Sequence, residues 1–444
     1  MGLNGIIPEE IGGLSFLSTF NISTNSFHGH IPQSIGFLTK LQSLDLSYNH
    51  LTGNIPATIY NISSLRFVDL RNNVLSGTLP ESICDNCRRL QSLFLRANRL
   101  SGEIPSSLHK CTELRFLNLV ENEFHGSIPP EIGNFSKLEC LIVLRNSLTG
   151  TIPPSIGNLS TLEYFVVADN NLQGNVPPEL GKLSRLEGLS LRHNTFSGKI
   201  PFTIFNISTL QKIELASNSL SGHIPESIGF LSKLQTLDLS YNHLTGNIPA
   251  TIYNISSLRF VAMNYNSLSG ILPAGICDNY RQLQGLSLRS NRLSGEIPSS
   301  LHKCMELRVL NLGENEFHGS IPTGIGNFSK LERLLLYGNN LTGDLPWTIF
   351  NMSSLVVLDI ERNEISGILP NDLCYLLPEL EYLDIALNHI HGEIPQSLSR
   401  CGRLEILALS RNQLSGRFPT QICNISSLQE LYLVGMNLTG NFNS

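Results

Sequence analysis

The sequence predicts an α/β-type solenoid: short parallel strands on a concave face, with 3₁₀ turns and loops on a convex one. Three observations lead there. The nonamer Leu-x-x-Leu-x-Leu-x-x-Asn, seen in Leu41 to Asn49, recurs with its Asn at 25, 49, 73, 98, 122, 146, 170, 194, 218, 242, 266, 291, 315, 339, 363, 388 and 412. The step is 24 residues, with 25 at three places, and an eighteenth copy from Leu428 carries Met436 where the Asn would stand. After the nonamers comes a Leu/Phe-polar-Gly-x-Ile/Leu-Pro tag, and 18 of the 22 prolines fall at its one phase, from Pro8 to Pro419. A fixed period of this size is the signature of stacked coils.

Each part of the repeat has a physical role. The x-Leu-x-Leu-x core alternates with period 2, so it forms a short strand with its Leu side chains inward. The Asn ends the strand, where its amide satisfies turn backbone in its own and the next coil, and stacking makes these residues a ladder. The Gly permits an unusual backbone angle and the Pro fixes the start of the return. The stretch from Pro56 to Ile62 carries two inward aliphatics and is too short for a full α-helix, which predicts a 3₁₀ turn. One coil cannot bury its own apolar face, so stability comes from its neighbours. With coils about 4.8 Å apart, about 18 repeats over residues 1–444 give a single curved solenoid of roughly 85 Å.

Composition excludes several classes. The chain has 30 Lys+Arg against 36 Asp+Glu, a net charge of −6, which argues against a nucleic-acid partner or a polybasic membrane surface. Hydrophobic residues are 41%, too many for a disordered chain. There is no apolar run of about 18 residues, so no membrane segment is expected in the chain, and the start Met1-Gly2-Leu3-Asn4-Gly5 has neither the charged nor the apolar part of a signal peptide.

The motif L-x-x-L-x-L-x-x-N-x-L-[ST]-G-x-[IL]-P resembles the plant-specific class of leucine-rich repeats, and the likeness covers nearly the whole chain. The wordings GxIPxxIGNLSxLxxL and IYNISSLRFV resemble the ectodomains of plant leucine-rich-repeat receptor kinases, in the group containing the flagellin and elongation-factor receptors. The resemblance implies a right-handed superhelix that senses peptides outside the cell, followed in the family by one membrane helix and a cytoplasmic Ser/Thr kinase. Departures accompany it. The family's capping segment carries a Cys pair and a Trp, whereas the single Trp here is Trp347, inside a repeat. The chain opens in mid-repeat at Leu3 to Pro8 and closes in mid-repeat at Leu438-Thr439-Gly440-Asn441. No kinase glycine-rich loop, HRD or DFG is present. The expectation is an uncapped piece of an ectodomain or a truncated paralogue.

A longer period is superposed on the first. Residues 30–68 and 223–261 align at an offset of 193 and differ only at Gln33/Glu226, Thr39/Ser232 and Ser43/Thr236; Ser101–Cys111 recurs unchanged at Ser294–Cys304. Two readings fit this alignment: a block of eight repeats copied whole, or an artefact of sequence assembly.

Nine cysteines include three pairs of equal spacing, Cys84/Cys111, Cys277/Cys304 and Cys374/Cys401. Neighbouring coils bring such positions within disulfide reach; the alternative is that the second of each pair is a small core thiol. Cys423 has the phase of a first partner, and its mate would fall near 450, beyond Ser444. The lone Cys84-x-x-Cys87 does not make a metal site, and no metal or cofactor is expected. N-glycosylation sequons occur at Asn21, Asn61, Asn134, Asn158, Asn206, Asn254, Asn327, Asn340, Asn351, Asn424 and Asn437. Many belong to the repeat itself; Asn21 points from a concave strand. Together they favour the extracellular face of the plasma membrane.

The twelve His residues lie in loops and do not combine with Ser or Cys in a family-specific motif, so no catalytic residue is expected and the chain is read as a non-enzyme. Binding is the natural use of a solenoid face. Outward columns of repeats three to seven hold Phe67, Arg71, Phe94, Arg96, Phe116, Asn118, Ile142, Leu144, Tyr164 and Val166, which read as a patch for an extended peptide. Arg71 and Arg96 are in register on adjacent coils and could hold a carboxylate between them. The competing readings are that Asp69 and Asp45 pair with Arg71, and that the aromatic column is coil-to-coil packing. A weaker set is Arg192, His193, Phe260, Tyr265 and Arg289.

Three functions follow. The first is the peptide-sensing ectodomain of a receptor-like kinase in defence or development, whose partners are a peptide or protein ligand and a co-receptor kinase ectodomain. The second is a soluble defence protein resembling inhibitors of fungal polygalacturonases, which have about ten repeats and their own Cys caps. The third is a decoy or truncated copy that does not signal.

Overall fold

A computed structural model describes residues 2–439; Met1 and residues 440–444, including Gly440 and Asn441 of the closing tag, lie outside the described residues. The chain divides into two compact units, Met1–Ser221 and Gly222–Ser444. Each is a stack of coils built to one plan.

In the first unit the strands Thr19–Asn21, Ser43–Asp45, Phe67–Asp69, Ser92–Phe94, Phe116–Asn118, Cys140–Ile142, Tyr164–Val166, Gly188–Ser190 and Lys212–Glu214 pair in parallel and in chain order. The second unit repeats this from Thr236–Asp238 to Glu430–Tyr432. The middle residue of each three-residue strand points inward, so Leu44, Val68, Leu93, Leu310 and Leu383 are fully buried, and the residues either side face out, as period-2 alternation requires.

The Asn ladder forms. Asn49 Nδ2 donates to Leu46 O at 3.1 Å in its own coil and to Ile22 O at 3.0 Å in the coil before, while its Oδ1 accepts from Phe27 N at 2.9 Å. The reach runs to the preceding coil rather than the following one. The reason is that the carbonyls of Ile22 and Leu46 point along the stack toward the following coil, and that coil's Asn meets them: Asn73 Nδ2 lies 3.0 Å from Leu46 O.

Two features differ from expectation. A second parallel ladder follows the Asn, for example Ser26–His30, His50–Asn54 and Val74–Thr78 in the first unit and His243–Asn247, Ser267–Ile271 and Arg292–Glu296 in the second. Its glycine takes a positive φ that L side chains adopt only under strain. Gly53 has φ +74°, and a Cβ there would sit 2.2 Å from His30 Nδ1 of the previous coil. The returns are five-residue 3₁₀ turns such as Ala57–Asn61 and Ala250–Asn254. Three coils depart: the chain makes irregular turns after Pro80 and Pro273, and a four-residue α-helix, Leu373–Leu376, after Pro370. These are the three 25-residue coils, and each holds the first cysteine of a pair, so the extra residue is absorbed where the 3₁₀ turn would be. Among the described residues no helix is long and apolar enough to cross a membrane.

Candidate ligand-binding face

The ten residues singled out from the sequence all lie in the first unit, on or just after strands of its outward face. Nine are half-buried or exposed at the margins of packed neighbours, and Tyr164 is 42% exposed. Phe67, Phe94 and Phe116 form a run across three coils, with centroids 5.7 Å apart edge-on and then 6.5 Å apart. They pack coil to coil and still present apolar surface. Ile142, Leu144 and Val166 extend the surface over the next two coils. Tyr164 leans across Gly188, where a Cβ would come within 2.8 Å of its ring, and its hydroxyl donates to Glu187 at 3.0 Å. Asn118 is half-buried, and its Oδ1 accepts from Val120 N at 3.2 Å.

Arg71 and Arg96 are in register, Asn72 N donating to Arg96 O at 2.8 Å, yet each already faces a carboxylate. Arg71 pairs with the fully buried Asp69 at 2.7 Å and lies over the rings of Tyr48 and Phe94 at 5.9 and 5.6 Å. Burial pushes the Asp69 carboxyl up, and Arg71 opposes the shift. Arg96 pairs with Glu121 at 3.4 Å, and Arg145 reaches the same carboxylate at 2.6 Å. The hydrogen bond from Arg145 leads the effects that lower the Glu121 pKa. A ligand carboxylate held between the two arginines would therefore have to compete with Asp69 and Glu121.

Sequence reasoning missed Tyr48, Glu121 and Arg145, which occupy the column immediately before the Asn. In that column φ is positive, 54° at Tyr48 and 55° at Glu121 and Arg145, so the side chains lie where a strand pattern does not place them. Cys140 also faces out, half-buried, with burial pushing its thiol up to about 11.

The weaker set does not come together as one site. In the first unit His193 and Arg192 both address Asp169, at 2.6 and 3.9 Å. In the second, Tyr265 stacks on Tyr241 at 4.4 Å, and the Arg289 guanidinium lies between Tyr265 and Tyr337, 5.0 and 5.3 Å from their centroids. Phe260 covers Gly285.

All eleven sequon asparagines are exposed. Asn61, Asn134, Asn158, Asn206, Asn254, Asn327, Asn351 and Asn424 each end a 3₁₀ turn. Asn340 and Asn437 lie in the second ladder. Asn21 ends an outward-facing strand, with its amide 3.2 Å from Asp45. Disulfides join Cys84 to Cys111, Cys277 to Cys304 and Cys374 to Cys401 across neighbouring coils, with Cα atoms 5.1, 5.3 and 5.1 Å apart. Among the described residues no group of three or more His, Cys, Asp or Glu is placed to hold a metal.

The leucine-rich-repeat family profiles match residues 5–75, 208–268 and 329–390, and single repeats at 89–111, 113–135, 137–159, 282–304, 306–328 and 403–425. The fold is shared with solved plant receptors. The crystal structure of PEPR1–AtPEP1 superposes with a TM-score of 0.89 at 32% identity, covering 98% of this chain and 64% of that one. The plant peptide hormone receptor RGFR1 in complex with RGF2 gives 0.88 at 33% identity, over 99% and 73%. The Arabidopsis receptor kinase HAESA, in complex with the peptide hormone IDA and the co-receptor SERK1, gives 0.85 at 33% identity, over 98% and 77%. The chain thus spans just under two thirds of the PEPR1 chain. No curated protein sequence matches it significantly. The chain belongs to the leucine-rich-repeat family, in the group of plant receptor-kinase ectodomains.

Proposed function

We propose that the chain is an extracellular recognition domain of a plant receptor-like kinase, and that the outward strand face of its first unit binds an extended peptide. The observation that carries this reading is the apolar run Phe67, Phe94, Phe116, Ile142, Leu144, Tyr164 and Val166. It lies on strand positions free of core duty and is rimmed by Arg71, Arg96 and Arg145. Peptide complexes are named for three of the similar structures, and one of those also holds a co-receptor, which supports a co-receptor ectodomain as a second partner. The exposed sequons fit the outer face of the plasma membrane. Catalysis is assigned to a kinase elsewhere in the receptor and none to these residues.

The test is peptide capture from the small-peptide fraction of plant apoplastic fluid, on the wild-type chain and on a Phe94→Asp/Leu144→Asp variant. Each peptide retained is then resynthesised and its Kd measured. The reading expects a peptide that binds the wild type and loses at least about tenfold on the variant, the cost of placing charge in an apolar contact. Equal retention by both proteins would sink this placement of the site.

A further inference from the structure

Eight sequon asparagines end a 3₁₀ turn, and their surroundings differ. At six of them the same place in the preceding turn is held by Lys, Arg or another sequon Asn. At the other two it is held by phenylalanine. Phe37 is the last residue of the turn Gln33–Phe37, and Asn61 the last of the next, Ala57–Asn61. In the second unit Phe230 ends Glu226–Phe230, and Asn254 ends Ala250–Asn254. Phe37 is 67% exposed and Phe230 70%, an unfavourable setting for so large an apolar group. Among the described residues neither ring contacts another ring or a guanidinium.

These turns are pressed together. A Cβ on Gly36 would lie 2.4 Å from Thr58 Cβ, and Thr58 Oγ1 donates to Gln33 O at 2.8 Å. In the second unit a Cβ on Gly229 would lie 2.5 Å from Thr251 Cβ, and Thr251 Oγ1 donates to Glu226 O at 2.7 Å. The coil on the far side clamps the sequon. Asn86 Nδ2 donates to Asn61 Oδ1 at 3.1 Å, and Asn279 Nδ2 to Asn254 Oδ1 at 3.2 Å. Each bond holds the sequon amide by its oxygen. The Nδ2 of Asn61 and of Asn254, the atom that takes a glycan, makes no hydrogen bond among the described residues. Each asparagine therefore stands between a phenylalanine column neighbour and a clamping asparagine, with its nitrogen free.

We propose that Asn61 and Asn254 carry N-linked glycans seated on the protein, the first N-acetylglucosamine lying with a C–H face on the ring of Phe37 or Phe230. The donor is a lipid diphosphate oligosaccharide of the secretory pathway. Nδ2 bonds to its C1, the C1–O bond to the diphosphate breaks, the diphosphate leaves with the electron pair, and Nδ2 gives up one proton. The seat is built by this chain. The C–H face of the sugar and the face of the ring are both apolar, and their contact takes exposed phenyl surface out of water. The clamp limits rotation of the amide, so less freedom is lost when the sugar settles. Glycans at the other turn sequons have no such ring and stand free. The proposal rests on the extracellular reading of the chain and is independent of the peptide face.

The experiment compares the whole chain secreted from plant cells with two variants. Ser63→Ala/Ser256→Ala removes these two sequons at exposed serines and keeps the others. Asn86→Ala/Asn279→Ala keeps every sequon and removes the clamp. Glycopeptide mass spectrometry reads occupancy, and brief hydroxyl-radical oxidation reads access to each ring. Asn61 and Asn254 should both be occupied in the wild type. Covering one of a ring's two faces should slow oxidation of Phe37 and Phe230 about twofold relative to the serine variant. Phe16, 90% exposed and two coils from Asn61, is the reference and should be oxidised equally in all three proteins. A glycan that merely hangs nearby does not need the clamp, so the clamp variant should give back part of the protection with its glycans in place. Bare Asn61 and Asn254 in a chain glycosylated elsewhere, equal oxidation of the two rings with and without the glycans, or full protection in the clamp variant would overturn the seat. A chain without a glycan at any sequon would overturn the extracellular reading with it.

Discussion

Asn98 ties two coils together with one side chain: its Nδ2 donates to Leu70 O of the coil before at 3.0 Å, and its Oδ1 accepts from Leu75 N at 3.0 Å. The amide also bonds Leu95 O in its own coil at 3.0 Å. Replacing it by Ala orphans buried backbone groups, each worth about 1–3 kcal/mol. Asp should be worse than Ala, because it keeps the acceptor but aims a charged oxygen at two carbonyls. Urea unfolding should rank wild type above Asn98→Ala above Asn98→Asp at pH 7, with the Asp variant recovering part of its loss below pH 4.

The residue before that Asn is under backbone strain. Ala97 has φ +56°, in the left-handed region that costs a non-glycine residue about 1–2 kcal/mol. The equivalent position holds Gly338 in a later coil, with φ +62°. Ala97→Gly is therefore expected to leave stability unchanged or to raise it by up to about 1 kcal/mol, after the entropy cost of glycine in the unfolded chain. A clear fall in the urea midpoint would contradict this account of the turn.

The three unpaired thiols should separate by accessibility. Cys423 is exposed, Cys140 half-buried and Cys87 buried. Cys87 donates to Tyr60 O at 2.9 Å, and burial pushes its thiol up to about 12. Mass-spectrometric timing of iodoacetamide labelling at pH 7.5 should find Cys423 modified first, Cys140 slowly, and Cys87 only on unfolding. Breaking Cys84–Cys111 with paired Ala substitutions releases a loop of sequence separation 27 and should cost about 3.5 kcal/mol in the chain-entropy account.

The second unit should prefer mildly acidic conditions. Asp359 and Asp384 are raised to about 7 and about 6, so between pH 4 and 7 the folded state holds more protons than the unfolded one. Their contribution is fully present below the ordinary carboxylate pKa and is lost as pH rises through the folded values. Thermal unfolding between pH 5 and 8 should show Tm falling with pH, and Asp359→Asn/Asp384→Asn should flatten that slope. A slope unchanged in the variant would assign it to other groups.

The frame was legible in the sequence because spacing alone determines it: Leu44, Asn49, Gly53 and Pro56 mark places that recur at one phase along the chain. The second ladder was harder to read. Its strands contain a glycine of positive φ, and a Thr-Gly pair such as Thr52-Gly53 looks like a turn signal before it looks like a strand. At the candidate site the outward columns identified Phe94 and Leu144, but which charges cancel depends on neighbours about 24 residues away. Glu121 lies 25 residues from Arg96 and 24 from Arg145, and no local pattern shows that it serves both. The carboxylates of the second unit were missed for the opposite reason: Asp359 looks like Asp69 until one sees that Glu361 stands where an arginine would.

Because each coil is fastened mainly to its neighbours, either unit is also a mechanical device. Pulled from its ends, it should lengthen in even increments of about 80 Å, the contour length of a 24-residue coil. The coil closed by Cys84 and Cys111 would withhold most of its share, since the load would pass through the sulfur bridge and bypass the residues between. Reduction would return the missing length, so a tethered molecule would report its redox state as extension.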